Sequence, residues 1–512
     1  MIRSFVTVSS GTLASRLLGF VRDSMVAALL GTGPVADAFL VAFQLVNVVR
    51  RLLTEGALNA ALVPAWLRLR DTKGAAAAAA FAGRLLGTVS AALVAATALI
   101  ALVMPLIIIA LAPGFAGREA LAMAVDDARL MLPYLAFAGP VTVLMAIMNA
   151  QGRYALIAFS PLLFNIALIA VMAVLLLWRQ DTARAALILA AVVGIAGLLQ
   201  LSILILRRGG NAATPLRVSF DKEMRGFFAK AVPGMIANSG PQLMMVAAAI
   251  IASSSPSAVS WLYFANRLIE LPLGLVGVAM GTVLVKELSG AVQSGDAAAV
   301  SHAESRALEL AAGLALPATL GLIVLAEPIV RLLFEHGAFT AADTASTARV
   351  LIWLSLGLPA QVLFKALAPA FFARENTATP MIAVLKGILL ALATAYLFGH
   401  FFGVEGIAAG IALGAWGSAL GLIREGATRF GFSIDAAARR RLPRIVAAAA
   451  VMGVALWLVP IARLAGLAQA AAIIALIVAG VALYGLLLQL FGITGWREAV
   501  NALRGAPRDL RG

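Results

Sequence analysis

SRLLGFVRDSMVAALLGTGPVADAFLVAFQLVNVVRRLLTEGALN, residues 15 to 59, carries the clearest mark of the fold class. Two apolar runs meet at a Gly/Pro turn, and Arg16, Arg22, Asp23, Asp37, Arg50, Arg51 and Glu55 fall inside what should be lipid-embedded helix. Each such charge costs roughly 2.5 to 3.5 kcal/mol near a bilayer centre on insertion scales. A chain keeps several only where they face an aqueous cavity or a charged ligand. Asp37, Gln44, Asn47, Arg51, Glu55 and Asn59 recur at steps of seven, three, four, four and four, on one face of the second helix. That stripe should line something.

The rest of the 512 residues agrees with a membrane setting. The chain is 62% hydrophobic and 12% charged, with a mean hydropathy of +1.00, far from the soluble globular range. The apolar runs are too long and continuous for barrel strands, so an all-α polytopic membrane protein with about fourteen spans is expected. MIRSFVTVSS opens an apolar run that continues through Arg16 without a cleavage signal, so the first helix should stay. There is no cysteine, which excludes disulfides. Most of the 39 Lys/Arg fall in connectors on the side shared by both termini, which places both termini in the cytoplasm. The formal net charge of +15 is then a matter of topology and anionic headgroups, not of nucleic acid.

Within the first span, Arg16 and Arg22 lie on different faces and can share a cavity only if the helix bends, with Gly19 as the natural place. The bland alternative is snorkelling, or pairing with Asp23. In the second span Arg51 and Glu55 can pair at i, i+4. An internal repeat appears at an offset of 219, where Leu132, Pro140 and Pro161 coincide with Leu351, Pro359 and Pro380. It divides the chain into an N-lobe over residues 1–210, a C-lobe over 211–432 and two further helices with a basic tail over 433–512, two pseudo-symmetric six-helix lobes of the parallel-repeat class. In the eighth span, Tyr263, Arg267, Glu270, Gly274, Gly277 and Gly281 share a face with Asn266 beside them, and Pro272 suggests a kink. The glycines read as close helix packing, which leaves Arg267 unexplained. Lys365 and Lys386 are cavity cations or snorkelling lysines. Asn238, Gln242 and the SSSPS turn at 253–257 read as interhelical bonds and a turn, and Asp126-Asp127 as helix capping.

No P-loop, H-E-x-x-H, G-x-S-x-G or clustered acid motif occurs, so neither an ATP-driven pump nor an enzyme is expected, and neither cofactor nor metal. Arg16, Arg22 and Arg267, from equivalent regions of two lobes, offer planar forks of donors that match phosphate oxygens. An anionic ligand with more than one phosphate and a lipid tail fits them; a cationic drug does not.

SSGTLASRLLGFVRDSMVAALLGTGPVADAFLVAFQLVNVVRRLLTEGALNAALVP, WLYFANRLIELPLGLVGVAMGTVL, LLFEHGAFTAADT and FFARENTATP resemble the MurJ/MviN family of lipid II flippases, within the multidrug/oligosaccharidyl-lipid/polysaccharide exporter superfamily. The likeness runs over the whole chain. It implies fourteen spans, alternating access, and movement of the undecaprenyl-pyrophosphate-linked peptidoglycan precursor from the cytoplasmic to the periplasmic leaflet of the inner membrane. Arg16, Arg22 and Arg267 would hold the pyrophosphate in an inward-open cavity. Ser15, Asp23, Asp37, Asn47, Arg50, Arg51, Glu55, Asn266 and Glu270 would be cavity or gate residues. Implied partners are lipid II, membrane lipids and the cell-wall synthesis machinery, with a monomer as the unit. Some relatives carry Asp where this chain has Asn266. Others resemble sodium-coupled carriers with acids on the seventh and eleventh spans, where this chain has Asn238, Gln242 and Lys386, so no sodium site is expected. The rival readings are a flippase for another lipid-linked oligosaccharide, a multidrug exporter and a non-transporting scaffold.

Overall fold

The computed structural model describes residues 2–54, 57–178, 180–207, 216–279, 290, 296–374, 376–459 and 466–493. Among these the regular elements are helices. They run as α1 (Ile2–Leu30), α2 (Pro34–Thr54), α3 (Ala57–Lys73), α4 (Ala75–Leu102), α5 (Met104–Leu111), α6 (Glu119–Met131), α7 (Pro133–Ala150), α8 (Tyr154–Trp178), α9 (Thr182–Arg207) and α10 (Lys222–Asn238). There follow α11 (Gly240–Ala252), α12 (Ala258–Ala279), α13 (Ala297–Val324), α14 (Ala326–Phe334), α15 (Ala341–Ser355), α16 (Leu358–Phe372), α17 (Ala378–Phe430), α18 (Ala436–Trp457) and α19 (Gly466–Leu490).

Among the described residues, α4, α6 with α7, α9, α13, α17 and α19 are each long and apolar enough to cross a bilayer, and the bent pairs α10–α11 and α15–α16 are so when each is taken together, as a broken span or a re-entrant loop. Gly403, at φ +60, divides α17 into two helices. The remaining spans expected from sequence fall on α1, α2 with α3, α8, α12 and α18. Large side chains such as Leu102, Leu177 and Leu206 point outward at 78 to 82% exposure, a surface that suits lipid tails and would be a liability in water. The chain is a multi-pass membrane protein.

Helix boundaries follow local chemistry. α1 ends at Gly31, whose φ of +63 ends the ladder while its amide still bonds the Ala27 carbonyl. Pro34 then starts α2 at a position where its missing N–H is harmless. Asp221 caps α10 through the Met224 amide, and Asp435 caps α18 through that of Ala438. The Met224 amide, more than any other contact, holds the Asp221 carboxyl below the usual carboxylate range. Asp126 and Asp127 cap nothing: α6 begins at Glu119, so both lie in its interior, and Asp127 is buried. The reading of that pair as a capping signal is therefore corrected.

The first half of the chain packs α1 on α8, α2 on α6, and α4 on α7, while α12 meets α2, α16 and α15. Contacts of α12 with α1 and α2 bring the two charged helices of the opening stretch against the charged helix from the other half.

Candidate functional site

Arg22 is the deepest cation among the described residues, 6% exposed. Its Nε and Nη2 donate to Asp23 Oδ1 at 2.9 and 2.6 Å, and Nη1 donates to Asn165 Oδ1 of α8 at 3.0 Å. Phe43 and Phe164 cover the guanidinium, with ring centres 5.2 and 5.7 Å away. Asn165 completes the hold by donating to the Ser15 carbonyl at 3.2 Å. Arg22 therefore takes its adjacent acid as partner in this conformation.

Asp23 is fully buried and serves two lobes of the network. Arg267 of α12 forms an ion pair with its second oxygen, and the Tyr263 hydroxyl donates to its first at 3.3 Å. Arg267 Nη1 then donates to Glu270 Oε2 at 2.7 Å. Glu270 accepts both arms of Arg51, at 2.7 and 2.8 Å, and the Asn266 amide at 3.3 Å. The result is a continuous alternation from Arg22 through Asp23, Arg267 and Glu270 to Arg51. Side-chain exposures of 15% for Arg51 and 17% for Arg267 show how little of it meets solvent. Among the described residues, these charges are turned upon one another. A narrow crevice beside Arg22, walled by Phe39, Phe43, Leu168 and Tyr263, remains next to the network.

Two glycines make the crossing possible. A Cβ on Gly19 of α1 would lie 2.7 Å from Arg267 Nη2, and one on Gly274 of α12 would overlap Arg16 Nη1. Each helix therefore seats the other's arginine on a position without a side chain. Gly274 thus serves as a guanidinium seat, and Gly281 lies outside the described residues. α1 is one continuous helix, so the bend at Gly19 is not needed: Arg16 reaches α12, Arg22 reaches α8, and Arg267 passes between them. All three arginines meet at the α1–α12 contact.

The other expected residues fall into place around this centre. Arg51 pairs with Glu270, while Glu55, its expected partner, lies outside the described residues. The bidentate Arg51–Glu270 pair joins α2 to α12 across 219 positions of sequence. Arg50 donates to Asn47 at 3.1 and 3.3 Å along the same helix. Lys386 is exposed, away from the network. Asp37 is separate from the arginines. It is 2% exposed and accepts the amides of Ser257 and Ser260 at 2.8 and 2.9 Å, together with the Ser260 hydroxyl. A residue of α2 thus caps α12, satisfying N-terminal amides that helices leave orphaned. Sequence reasoning missed Asn165, Ser257 and Ser260; a lone Asn in an apolar span was the available signal for the first.

A multi-pass helical membrane protein with a buried arginine-rich centre shared between its two halves is the class that this fold and site define. A family model described as "Lipid II flippase MurJ" matches residues 26–491. The "Probable lipid II flippase MurJ" of Rhizobium meliloti (strain 1021) is 38% identical over 461 residues, covering 89% of this chain and 86% of the relative. The "Lipid II flippase MurJ" of Burkholderia cenocepacia is 33% identical over 427 residues, covering 81% of each chain. A solved structure, "Lipid II flippase MurJ, inward closed conformation", superposes with a TM-score of 0.77 at 22% identity, covering 97% of this chain and all of that one. An inward-facing multidrug transporter of the MATE family gives 0.66 at 15% identity, covering 86% of this chain and 98% of that one. The chain belongs to the MurJ family of lipid II flippases.

Proposed function

We propose that this chain moves lipid II, the undecaprenyl-pyrophosphate-linked peptidoglycan precursor, from the cytoplasmic to the periplasmic leaflet by alternating access. It is a transporter of the bacterial inner membrane and not an enzyme, with both termini cytoplasmic. Two lobes, residues 1–210 and 211–432, rock about the charged centre, and the helices of 433–512 flank the groove that takes the C55 tail. The observation that carries this reading is the meeting of Arg16, Arg22 and Arg267 where α1 crosses α12.

The network keeps the cations of such a site paired between cargoes. Buried cations left unpaired cost several kcal/mol each, and pairing with carboxylates removes most of that penalty. Asp23 and Glu270 hold the guanidinium forks until a pyrophosphate arrives. Its oxygens offer the same bidentate geometry with more charge, so binding is an exchange of anions and the arginines are never stranded. Asp37, capping α12 from α2, closes the periplasmic side meanwhile. Return of the emptied, net-cationic centre toward a negative interior is favoured by about 2.3 kcal/mol per charge per 100 mV.

The test is rescue of a strain depleted of its own lipid II flippase. Wild-type protein is expected to restore growth and rod or coccoid shape to that of the undepleted strain; failure of a well-expressed, membrane-inserted protein to do so overturns the reading. Competition between lipid II and other lipid-linked oligosaccharides for the purified protein distinguishes the nearest rival.

A further inference from the structure

The segment LLFEHGAFTAADT, residues 332–344, is so far without a role. In the structure it forms the end of α14, a turn and the start of α15. Thr340 and Asp343 make a reciprocal capping box at the head of α15. A cap of that kind is local, but Asp343 also faces outward from its own helix. Its Oδ1 accepts the Thr32 hydroxyl of the α1–α2 turn at 2.6 Å and the Trp261 indole N–H of α12 at 3.2 Å.

The backbone makes the same connection. The Ala338 amide donates to the Ala28 carbonyl at 2.8 Å, and Ala28 lies in the last turn of α1, where carbonyls lack helical partners. Gly337, at φ +59, approaches so closely that a Cβ there would collide with that carbonyl. Gly31, at φ +63, is its counterpart, with a Cβ position 2.6 Å from the Ala338 carbonyl. Two left-handed glycines, one from each half, let two turns touch backbone to backbone. Beneath them Phe334 and Phe339 pack on Phe264 of α12 with ring centres 5.2 and 5.6 Å apart, and Phe20 of α1 meets Phe334 at 5.8 Å.

We propose that the 335–343 turn is a gate latch, in which Gly337 and Asp343 hold the α1–α2 turn shut at that end of the bundle. It rests on the alternating-access reading above, and it pairs with the Asp37 contact. Asp37 of the first half caps a helix of the second, and Ala338 of the second half caps a helix of the first. Water can replace every polar partner in both caps once the halves part, so the latch holds without being irreversible. Gly337 and Asp343 are positioning residues: they set the closed state and do not touch the transported lipid.

Because the chain has no cysteine, Pro34→Cys with Ala342→Cys introduces a unique pair of exposed label sites across the two turns. The experiment is the distance distribution between spin labels on the full chain in lipid nanodiscs, without lipid II. A short-distance population is expected in the parent. Gly337→Ala and Asp343→Asn should each lose most of it in favour of longer distances. Thr32→Val is the decisive variant, because it removes the Thr32–Asp343 hydrogen bond between halves and leaves the capping box of α15 intact. It should shift the distribution in the same direction. An unchanged distribution in Thr32→Val and Gly337→Ala overturns the latch, as does a shift in Asp343→Asn alone, which would mark a local cap. If the variants shift the distribution but wild-type protein fails the rescue assay, the latch stands and the flippase reading falls.

Discussion

Arg267→Gln should abolish rescue of the depleted strain and markedly destabilise the purified chain. Arg267 is the bridge of the central network, pairing with Asp23 on one side and Glu270 on the other. Removing it leaves two carboxylates short of a cation, and Asp23 is fully buried. Breaking a buried pair by deleting one partner costs about 3 to 5 kcal/mol, well above the effect of a typical surface change. Glutamine retains a hydrogen-bond donor but no charge, and it cannot fork toward both acids. Arg267→Lys should be intermediate, since an ammonium keeps the charge and loses the planar fork. Growth of the complemented strain and thermal unfolding in detergent check the two parts. A glutamine variant with wild-type growth and stability would show that the bridge is dispensable.

Asp23→Asn should lower stability by a similar amount, about 3 to 5 kcal/mol, while changing ligand response in the opposite sense. Asp23 accepts Arg22 and Arg267 together. Without its charge the two guanidinium groups face each other across a buried centre, and an incoming pyrophosphate becomes the missing anion. Ligand that binds only the folded state stabilises it by about 2.7 kcal/mol at a hundredfold excess over Kd. Undecaprenyl pyrophosphate should therefore raise the unfolding midpoint of the asparagine variant more than that of wild type. Equal shifts in the two proteins would mean that Asp23 does not occupy the anion's place.

The sequence stated the problem of this site more fully than its solution. An excess of charge on α1, α2 and α12 is visible because lipid makes every such residue costly, and the period of the α2 stripe follows from helix geometry. Which charges pair is tertiary information. No pattern within α2 announces that Arg51 joins Glu270 on a helix from the other half. Glycine in a transmembrane helix ordinarily signals close packing, and nothing local distinguishes a packing notch from the seat that Gly274 offers Arg16. Asp37 shares the stripe with Arg51 but serves α12 as a cap, because it lies at the first turn of α2 where that helix meets Ser257 and Ser260. The SSSPS segment was legible as a turn; its use as the start of a helix capped from afar was not. The break between α10 and α11 did have a local sign, the Gly240-Pro241 pair after Ser239.

The central claim is that Arg16, Arg22 and Arg267 hold one anion between two lobes. The most direct measurement is equilibrium binding of undecaprenyl pyrophosphate to the full chain in nanodiscs, compared with Arg16→Gln, Arg22→Gln, Arg267→Gln and the Arg16/Arg267 double variant. Each single change should weaken binding by about tenfold or more, equivalent to about 1.4 kcal/mol. The double variant should depart from the sum of its parts, as residues sharing one ligand do. Wild-type affinity in all three single variants, or strict additivity of Arg16 and Arg267, would contradict a single shared anion.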